Sequence, residues 1–234
     1  MKIICFAGPN GSGKTSISKN IMKRFKGLQF VNADIIAKEF FSEVKDEKER
    51  NFLAAVYADK LRDELLKEKL DFAFESVMSD GNSEHSKLKF LHKAKEEGYE
   101  IDVVYVLTRD ANINVERVKM RVNQGGHNVP EDKIRLRHEK CMRLLPDVME
   151  VSDKFLLFDN TVLNQTKMLI SKNNADVTII NVTEEEYSFL EDRIFSKIDK
   201  KYNIYNIQTK ESVKDLQDRI INETVFDNDD GTTI

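Results

Sequence analysis

The chain has 234 residues, of which 40% are hydrophobic and 33% are charged, and its formal net charge is -4. These values fit a globular protein with one large α/β domain, or with one domain and an appendage, and the weakly acidic balance argues against a dedicated nucleic-acid binder. No run approaches the roughly 20 apolar residues of a membrane span, and the short apolar start has no secretory hydrophobic region, so a cytoplasmic location is expected.

The first predicted unit is a strand, a glycine-rich loop and a helix. Residues 3–7 form a nearly continuous apolar run, which is typical of a strand buried on both faces of a parallel sheet. Apolar residues at four-residue spacing then form one stripe along a helix that Gly27 can end. The stripe consists of Ile17, Ile21 and Phe25.

Strands and helices continue to alternate through the first 160 residues. Strands are predicted at residues 28–32, 70–75, 101–107 and 154–158. Helices are predicted at residues 51–69, 86–97, 110–122 and 130–145. In the first of these helices the inward side chains are predicted to be Phe52, Val56, Leu61 and Leu65. Repeated strand–helix units predict an α/β fold with a parallel sheet.

The connection between the last two of these helices is rich in glycine and polar residues. It covers residues 123–130, and we expect it to belong to a mobile lid over residues 112–146. The pattern is weaker beyond residue 165, where a strand at 177–182 and helices at 184–200 and 211–222 are predicted. The resulting division is a main domain at 1–165, an extension packed on it at 166–227 and a disordered tail at 228–234.

A phosphate-binding motif lies between the first strand and the first helix. The pattern G-x-x-x-x-G-K-[ST] is formed by Gly8, Pro9, Asn10, Gly11, Ser12, Gly13, Lys14 and Thr15. Its glycines let backbone N–H groups turn toward phosphate oxygens, and the helix N-terminus adds a positive end. Lys14 is therefore predicted to reach the β- and γ-phosphates of ATP, and Thr15 to bind Mg²⁺ through its hydroxyl.

Two carboxylates follow predicted strands, at the sheet edge where ligands of such folds bind. Asp34 follows the second strand and can orient or deprotonate an acceptor hydroxyl, or alternatively cap a helix that begins at residue 35. Glu75 ends the third strand and can hold Mg²⁺ through water or contact the acceptor together with Ser76. A surface glutamate is the alternative for Glu75.

Cationic residues precede and line the predicted lid. Arg117 and Arg121 are four residues apart, so they share a helix face and can neutralise the charge of a transferred phosphoryl group, although a solvated helix face is the alternative. His127 can contact phosphate or be structural. The middle of the chain is basic as a whole, and an anionic ligand is expected there. Its cations are Lys119, Arg121, Lys133, Arg135, Arg137, Lys140 and Arg143.

Five segments in the first 160 residues together resemble the zeta-toxin-like P-loop ATPases. They are residues 7–15, 31–34, 72–76, 121–131 and 157–160. The Gly-Gly-His-x-Val-Pro lid is similar to that of a chromosomal branch described as predicted ATPases. The resemblance implies a nucleoside-monophosphate-kinase-like fold with helices on both faces of the sheet. It also implies phosphorylation of the amino-sugar hydroxyl of UDP-N-acetylglucosamine and a protein antitoxin that blocks the ATP site.

The resemblance also implies roles for individual residues. Lys14 and Thr15 would bind ATP and Mg²⁺, and Asp34 would be the base toward the acceptor hydroxyl. Glu75 would contact the acceptor, and Arg117 or Arg121 would lie at the transferred phosphate. The lid of the plasmid toxins has a second arginine near the position of His127, so the second charge clamp differs in this chain.

The expected function is ATP-dependent phosphorylation of a small acceptor that resembles a nucleotide sugar. A kinase of a nucleotide or of a nucleic-acid end is an alternative within the enzymes. An ABC-type transport ATPase shares the phosphate loop, but it requires a Leu-Ser-Gly-Gly-Gln signature that this sequence lacks. A nucleotide-dependent binding module, with the C-terminal helices as its docking surface, is the alternative outside the enzymes.

Overall fold

A computed structural model describes residues 1–79, 86–163, 165–198, 202–209, 215 and 218–222. The strands that it describes are β1 (Lys2–Ala7), β2 (Gln29–Val31), β3 (Phe72–Ser76), β4 (Glu100–Leu107), β5 (Lys154–Asp159), β6 (Lys167–Asn173), β7 (Asp176–Ile180) and β8 (Asn203–Ile207). The helices are α1 (Lys14–Met22), α2 (Ala33–Phe40), α3 (Glu47–Lys67), α4 (Lys87–Glu96), α5 (Ala111–Asn123), α6 (Glu131–Val151) and α7 (Glu184–Leu190), which a π-helical turn (Glu191–Phe195) continues.

The strands form one sheet in the order β2-β3-β1-β4-β5-β6-β7-β8. Strands β2, β3, β1, β4 and β5 pair in parallel, as predicted for the first 160 residues. Strands β6 and β7 then join in antiparallel fashion, and β8 pairs in parallel with β7. Because β1 is flanked by β3 and β4, the loop that follows β1 lies between the carboxyl ends of its two neighbours, where α/β folds bind their ligands.

Side chains of β1 alternate between two hydrophobic cores. Ile3 and Cys5 contribute to the larger core, which α2, α3, α4, α6 and α7 cover on one face of the sheet. Ile4 and Phe6 contribute to the second core, which α1 and the helical residues 218–222 cover on the other face. Helices therefore cover both faces of the sheet, and the protein has the predicted P-loop NTPase fold.

The sequence pattern predicted the buried face of helix α3 only in part. Leu65 is buried and Leu61 packs against the larger core, as predicted. Phe52 and Val56 are 67% and 36% exposed, so their predicted inward orientation is wrong. The buried residues are Ala54, Ala58, Arg62, Leu65 and Leu66. The helix also begins one turn earlier than predicted, because the Asp46 carboxylate accepts a hydrogen bond from the backbone N–H of Glu49.

Several elements differ from the sequence-based expectation. Strands β6 and β8 were not predicted, and a helix at the position of α2 was considered only as the alternative for Asp34. The single helix predicted at residues 184–200 is α7 followed by the π-helical turn. The strand predicted at 177–182 is β7. Within the helix predicted at 211–222, residue 215 and residues 218–222 are described, and they are helical. The tail predicted at 228–234 lies outside the described residues, and the domain division at residue 165 stays a prediction.

The predicted lid region contains a small core of its own. Val115 and Val118 of α5 pack with Val129 and with Ile134 of α6. These contacts join the two helices on either side of the glycine-rich connection. In the described part of the chain, no helix is both long and apolar enough to cross a membrane.

A buried carboxyl on β4 predicts an unusual pH dependence of stability. Asp102 is 1% exposed, and although Lys2 Nζ lies 3.3 Å away, burial raises the pKa of this carboxyl from 3.8 to about 7. The folded state therefore holds the proton more tightly than the unfolded state does. The resulting stabilisation is complete below about pH 4 and is lost as the pH rises through about 7.

Replacing Asp102 with Asn is expected to stabilise the protein above pH 7. At pH 8 the free energy of unfolding should rise by at most about 4 kcal/mol, and at pH 4 it should hardly change. Denaturant unfolding at both pH values measures this difference. Asp147, which is exposed on α6, provides the matched Asp147→Asn control. Equal effects of Asp102→Asn at the two pH values would contradict the assignment.

Candidate functional site

The loop between β1 and α1 has backbone angles that glycine adopts readily. Gly11 has φ 76° and Gly13 has φ 97°. A Cβ atom added to Gly11 would lie 2.7 Å from the carbonyl oxygen of Asn114, and one added to Gly13 would collide with the Asn160 amide. Both the left-handed angles and the crowding explain why glycine occupies these positions.

Three polar side chains hold this loop from outside. Asn114 Nδ2 of α5 donates to the carbonyl oxygen of Asn10 at 2.6 Å, and Arg137 Nη1 of α6 donates to Asn10 Oδ1 at 3.0 Å. Asn160, just after β5, donates through Nδ2 to the carbonyl oxygen of Ser12 at 2.8 Å. The loop is therefore fixed to the lid helices and to the end of β5.

Lys14 extends back over the loop. Its Nζ donates to the carbonyl oxygen of Pro9 at 2.8 Å, and the residue is only 6% exposed. Burial lowers the pKa of Lys14, while the carboxylate of Glu75 opposes that effect. A buried ammonium beside a ring of loop N–H groups matches an anionic ligand such as a polyphosphate.

Glu75 accepts hydrogen bonds from three side chains, two on α1 and one at the start of α2. Thr15 Oγ1 donates to its Oε1 at 2.9 Å, and Asn32 Nδ2 and Ser18 Oγ donate to its Oε2 at 3.0 and 3.4 Å. The carboxylate is thus held beside the start of α1. Hydroxyl and carboxylate oxygens are ligands that Mg²⁺ accepts, either directly or through water.

Asp34 lies in the first turn of α2 and does not cap it. The cap is Asn32, whose Oδ1 accepts hydrogen bonds from the backbone N–H groups of Asp34 and Ile35 at 2.8 and 3.2 Å. The capping alternative for Asp34 is therefore wrong. Because Asn32 also contacts Glu75, one side chain positions both carboxylates, and the carboxylate of Asp34 is exposed and lines the cavity.

Arg117 and Arg121 of α5 both reach this cavity. Arg117 Nη2 donates to the carbonyl oxygen of Thr161 at 3.3 Å, and burial lowers the pKa of Arg117 although Asp159 opposes this. Arg121 Nη2 donates to the carbonyl oxygen of His127 at 2.8 Å. Arg117 Nη1 and Arg121 Nε are buried and have no hydrogen-bond partner within the described residues. Unmet guanidinium donors of this kind favour an anionic ligand.

The lid contacts the start of α3 through His127. His127 Nδ1 lies 2.6 Å from Glu47 Oε1 and 3.1 Å from Asn51 Nδ2. The hydrogen bond with His127 lowers the pKa of Glu47. The glycine-rich connection is therefore held against α3, with Arg121 bonded to the same residue of the lid from the other side.

These groups line one cavity of about 710 Å³. The cations that line it are Lys14, Arg62, Lys87, Arg117, Arg121 and Arg137, and the carboxylates are Asp34, Asp59 and Glu75. The cavity is thus positively charged in a protein whose net charge is -4. This agrees with the anionic ligand that the sequence predicted.

Most of the predicted site residues line this cavity. It includes Asn10, Gly11, Gly13, Lys14, Thr15, Asp34, Glu75, Ser76, Arg117, Arg121 and His127. Gly8, Pro9 and Ser12 do not line it, and Ser12 is fully buried. Of the other cations in the basic middle of the chain, Arg137 lines the cavity, whereas Lys119, Lys133, Arg135, Lys140 and Arg143 do not.

Several residues of the site had no role in the sequence-based prediction. Asn114 belongs to no motif, and Asn32 and Asn160 were part of the resemblance without an assigned role. Arg62 lies on α3, and the apolar pattern of that helix predicted other residues to face inward. The only available signal for Asn32 was its position directly before a helix, where Asn is a favoured cap.

The residues present fit ATP and Mg²⁺. The loop N–H groups, Lys14 and the two arginines would hold the phosphates, and the Thr15 hydroxyl with Glu75 beside it would hold the ion. Among the described residues no group of three or more His, Cys, Asp and Glu side chains could hold a metal by itself. Phosphate oxygens would therefore have to supply further ligands.

The model of the AAA_33 family, described as an AAA domain, matches residues 3–144, which is more than half of the chain. The chain belongs to the AAA_33 family. The matched segment includes the phosphate loop, both carboxylates and the lid arginines of this AAA_33 protein. An uncharacterized protein of Haemophilus influenzae is 29% identical over 137 residues, which cover 58% of this chain and 92% of that protein.

Two solved structures share the fold of this chain. A chain in the crystal structure of AvrRxo1-ORF1:-ORF2 with ATP superposes with a TM-score of 0.64 and 15% identity, covering 82% of this AAA_33 protein and 63% of that chain. This protein thus spans less than two thirds of the length of that relative. A chain of the PezAT chromosomal toxin-antitoxin system of Streptococcus pneumoniae superposes with a TM-score of 0.50 and 15% identity. The match covers 95% of this protein and 86% of that chain.

Proposed function

We propose that this protein is an ATP-dependent phosphotransferase that moves the γ-phosphoryl group of ATP to a hydroxyl of a small acceptor. The observation that carries the proposal is the single cavity that joins the phosphate loop, Asp34, Glu75 and the two arginines of α5. Besides Glu75, this cavity contains the exposed carboxylate of Asp34, and a kinase needs such a group to orient an acceptor hydroxyl.

Each residue of the site has a separate role in the proposed phosphoryl transfer. Lys14 and the loop N–H groups orient the phosphates, and ATP together with Mg²⁺ supplies the activated phosphoryl group. Asp34 orients the acceptor hydroxyl and accepts its proton. Arg121 and Arg117 stabilise the negative charge that spreads over the transferred group. His127, Ser76 and Glu75 contact the acceptor in this proposal, and Thr15 holds the ion.

For the acceptor we put forward a nucleotide sugar, with UDP-N-acetylglucosamine as the first compound to test. The resemblance of the loop, the strand ends and the lid to the zeta-toxin-like ATPases supports this choice, as does the positive charge of the cavity. A role as the toxin of a toxin–antitoxin pair, with a protein antitoxin as partner, belongs to the same proposal. The PezAT structure is the neighbour that motivates it.

A transfer assay with labelled ATP tests the proposed function. Wild-type protein should label at least one compound of a metabolite panel that contains UDP-N-acetylglucosamine and other nucleotide sugars. Lys14→Met should lower this labelling at least about a hundredfold, because it removes a charge that contacts the phosphates. If wild-type protein hydrolyses ATP but labels no acceptor, the phosphotransferase proposal fails.

A further inference from the structure

A fourth arginine reaches the cavity from the side opposite to Arg117. Arg62 of α3 lies over the ring of Phe74 on β3, with its guanidinium carbon 5.1 Å from the ring centroid. Arg117 instead contacts Thr161, just past β5. Strands β1 and β4 separate β3 from β5. Neighbouring strands are about 4.8 Å apart, so the strands that Arg62 and Arg117 lie beside are roughly 14 Å apart.

Arg62 is the most deeply buried arginine of the cavity. It is 4% exposed, and it is enclosed by the rings of Phe74 and Phe90 and by Asp59. Its Nη2 donates to Asp59 Oδ1, while its Nε is buried without a hydrogen-bond partner among the described residues. A guanidinium has five donors, and a buried charge with unmet donors is costly unless a ligand completes its contacts.

The carboxylate beside Arg62 is shared with a second cation. Lys87 Nζ lies 3.1 Å from Asp59 Oδ1 and 3.4 Å from Asp59 Oδ2. All three side chains line the cavity, as do Ser76 and Ser79. Asp59 therefore holds Arg62 and Lys87 close together at the cavity. This arrangement suits a phosphate group, whose oxygens can accept paired hydrogen bonds from an arginine.

We propose that Arg62, positioned by Asp59 and Lys87, binds a phosphate group of the acceptor in a subsite separate from the phosphate loop. The subsite would make phosphorylated or diphosphate-linked acceptors the preferred substrate class, with the reacting hydroxyl between Arg62 and Lys14. Identifying the ligand as the acceptor rests on the proposed function, whereas the existence of a second phosphate site does not.

Calorimetry on the full chain can test the subsite directly. A non-hydrolysable ATP analogue with Mg²⁺ is added to saturation, so that the phosphate loop is filled, and inorganic phosphate is then titrated. Wild-type protein should bind one further phosphate. Arg62→Met should weaken this binding by about tenfold or more, which corresponds to the loss of a charged hydrogen bond. Arg135→Met, which removes an exposed arginine outside the cavity, should bind like wild type.

The test separates a folding defect from a binding defect. Arg62→Met should keep the rise in melting temperature that the ATP analogue produces. If that variant does not fold, Arg62→Lys keeps the charge and loses the paired donors, and it should still weaken phosphate binding severalfold. The proposal is overturned if wild-type protein binds no phosphate beside the analogue, or if folded Arg62 variants bind it as tightly as wild type.

The outcome is independent of the transfer assay. If phosphate binding depends on Arg62 but no acceptor is labelled by ATP, the proposed function fails and the subsite stands. If an acceptor is labelled and Arg62→Met leaves its KM unchanged, the proposed function stands and the assignment of this subsite to the acceptor fails.

Discussion

Replacing Asp34 with Asn is expected to lower the rate of phosphoryl transfer by about a thousandfold while leaving ATP affinity unchanged. The amide has the same size as the carboxylate. The position of residue 34 should also be kept, because the Asn32 side chain caps α2 by bonding to backbone N–H groups and does not contact the Asp34 carboxylate. The amide cannot accept the proton of the acceptor hydroxyl. Stability should fall by no more than about 0.5 kcal/mol, from the lost charge near the helix N-terminus.

Initial rates with labelled ATP and the acceptor measure this effect, and titration with a non-hydrolysable analogue measures ATP affinity. Glu39, an exposed carboxylate farther along α2, provides the matched Glu39→Gln control, which should transfer at the wild-type rate. If Asp34→Asn is as active as its control, Asp34 is not the base. The binding-module alternative would then gain support if the cellular effect of the protein were also unchanged.

The central part of the fold and of the site could be predicted because parallel strands meet at one edge. The apolar run at residues 3–7 located β1, and the phosphate loop had to follow its carboxyl end. Glu75 lies at the end of β3, which neighbours β1, and Asp34 follows β2, which lies on the far side of β3. Both carboxylates were therefore expected at the edge of the sheet that holds the loop. The spacing of Arg117 and Arg121 likewise required a shared helix face, and the structure places both at the cavity.

The face of α3 could be predicted only in part from its apolar pattern. Leu65 is buried as predicted, but Phe52 and Val56 are exposed. Two alanines and Arg62 are buried with the leucines instead. A buried arginine looks like a surface residue in a sequence. Its burial becomes apparent only when Asp59 and Phe74 are seen beside it, and these contacts join separate elements.

Strand β6, which pairs in antiparallel fashion with β5 and β7, was missed for a related reason. Strand β6 contains Lys172, which is 2% exposed, so its alternation of polar and apolar residues does not mark a buried strand. The ammonium is accommodated because it donates to the carbonyl oxygen of Ser152 and lies 5.6 Å from the ring centroid of Tyr202. When residues distant in sequence supply the contacts of a buried charged group, the local hydrophobicity pattern does not predict its burial.

The arginines of α5 differ in what they contact, and this predicts different kinetic defects. Arg121 bonds to the lid through the carbonyl oxygen of His127, and the lid in turn contacts Glu47. Arg117 bonds to the segment after β5 through Thr161 and lies near Asp159. The position of Arg121 therefore depends on the lid, as expected for a charge that acts in the transition state. Arg117 is held independently of the lid, and in the proposed function it would lie beside the nucleotide in both the ground state and the transition state.

Replacing Arg121 with Met is expected to lower kcat by about a thousandfold, with a smaller change in the KM for ATP. Arg117→Met should mainly raise the KM for ATP, by about tenfold, because it removes a contact that substrate and transition state share. Steady-state kinetics with the identified acceptor separate the two effects. Lys119→Met removes an exposed cation that pairs with Glu116 on the same helix, and it should change neither parameter. If Arg117→Met instead carries the loss of kcat, the transition-state contact belongs to the arginine near β5, and the lid serves only to cover the site.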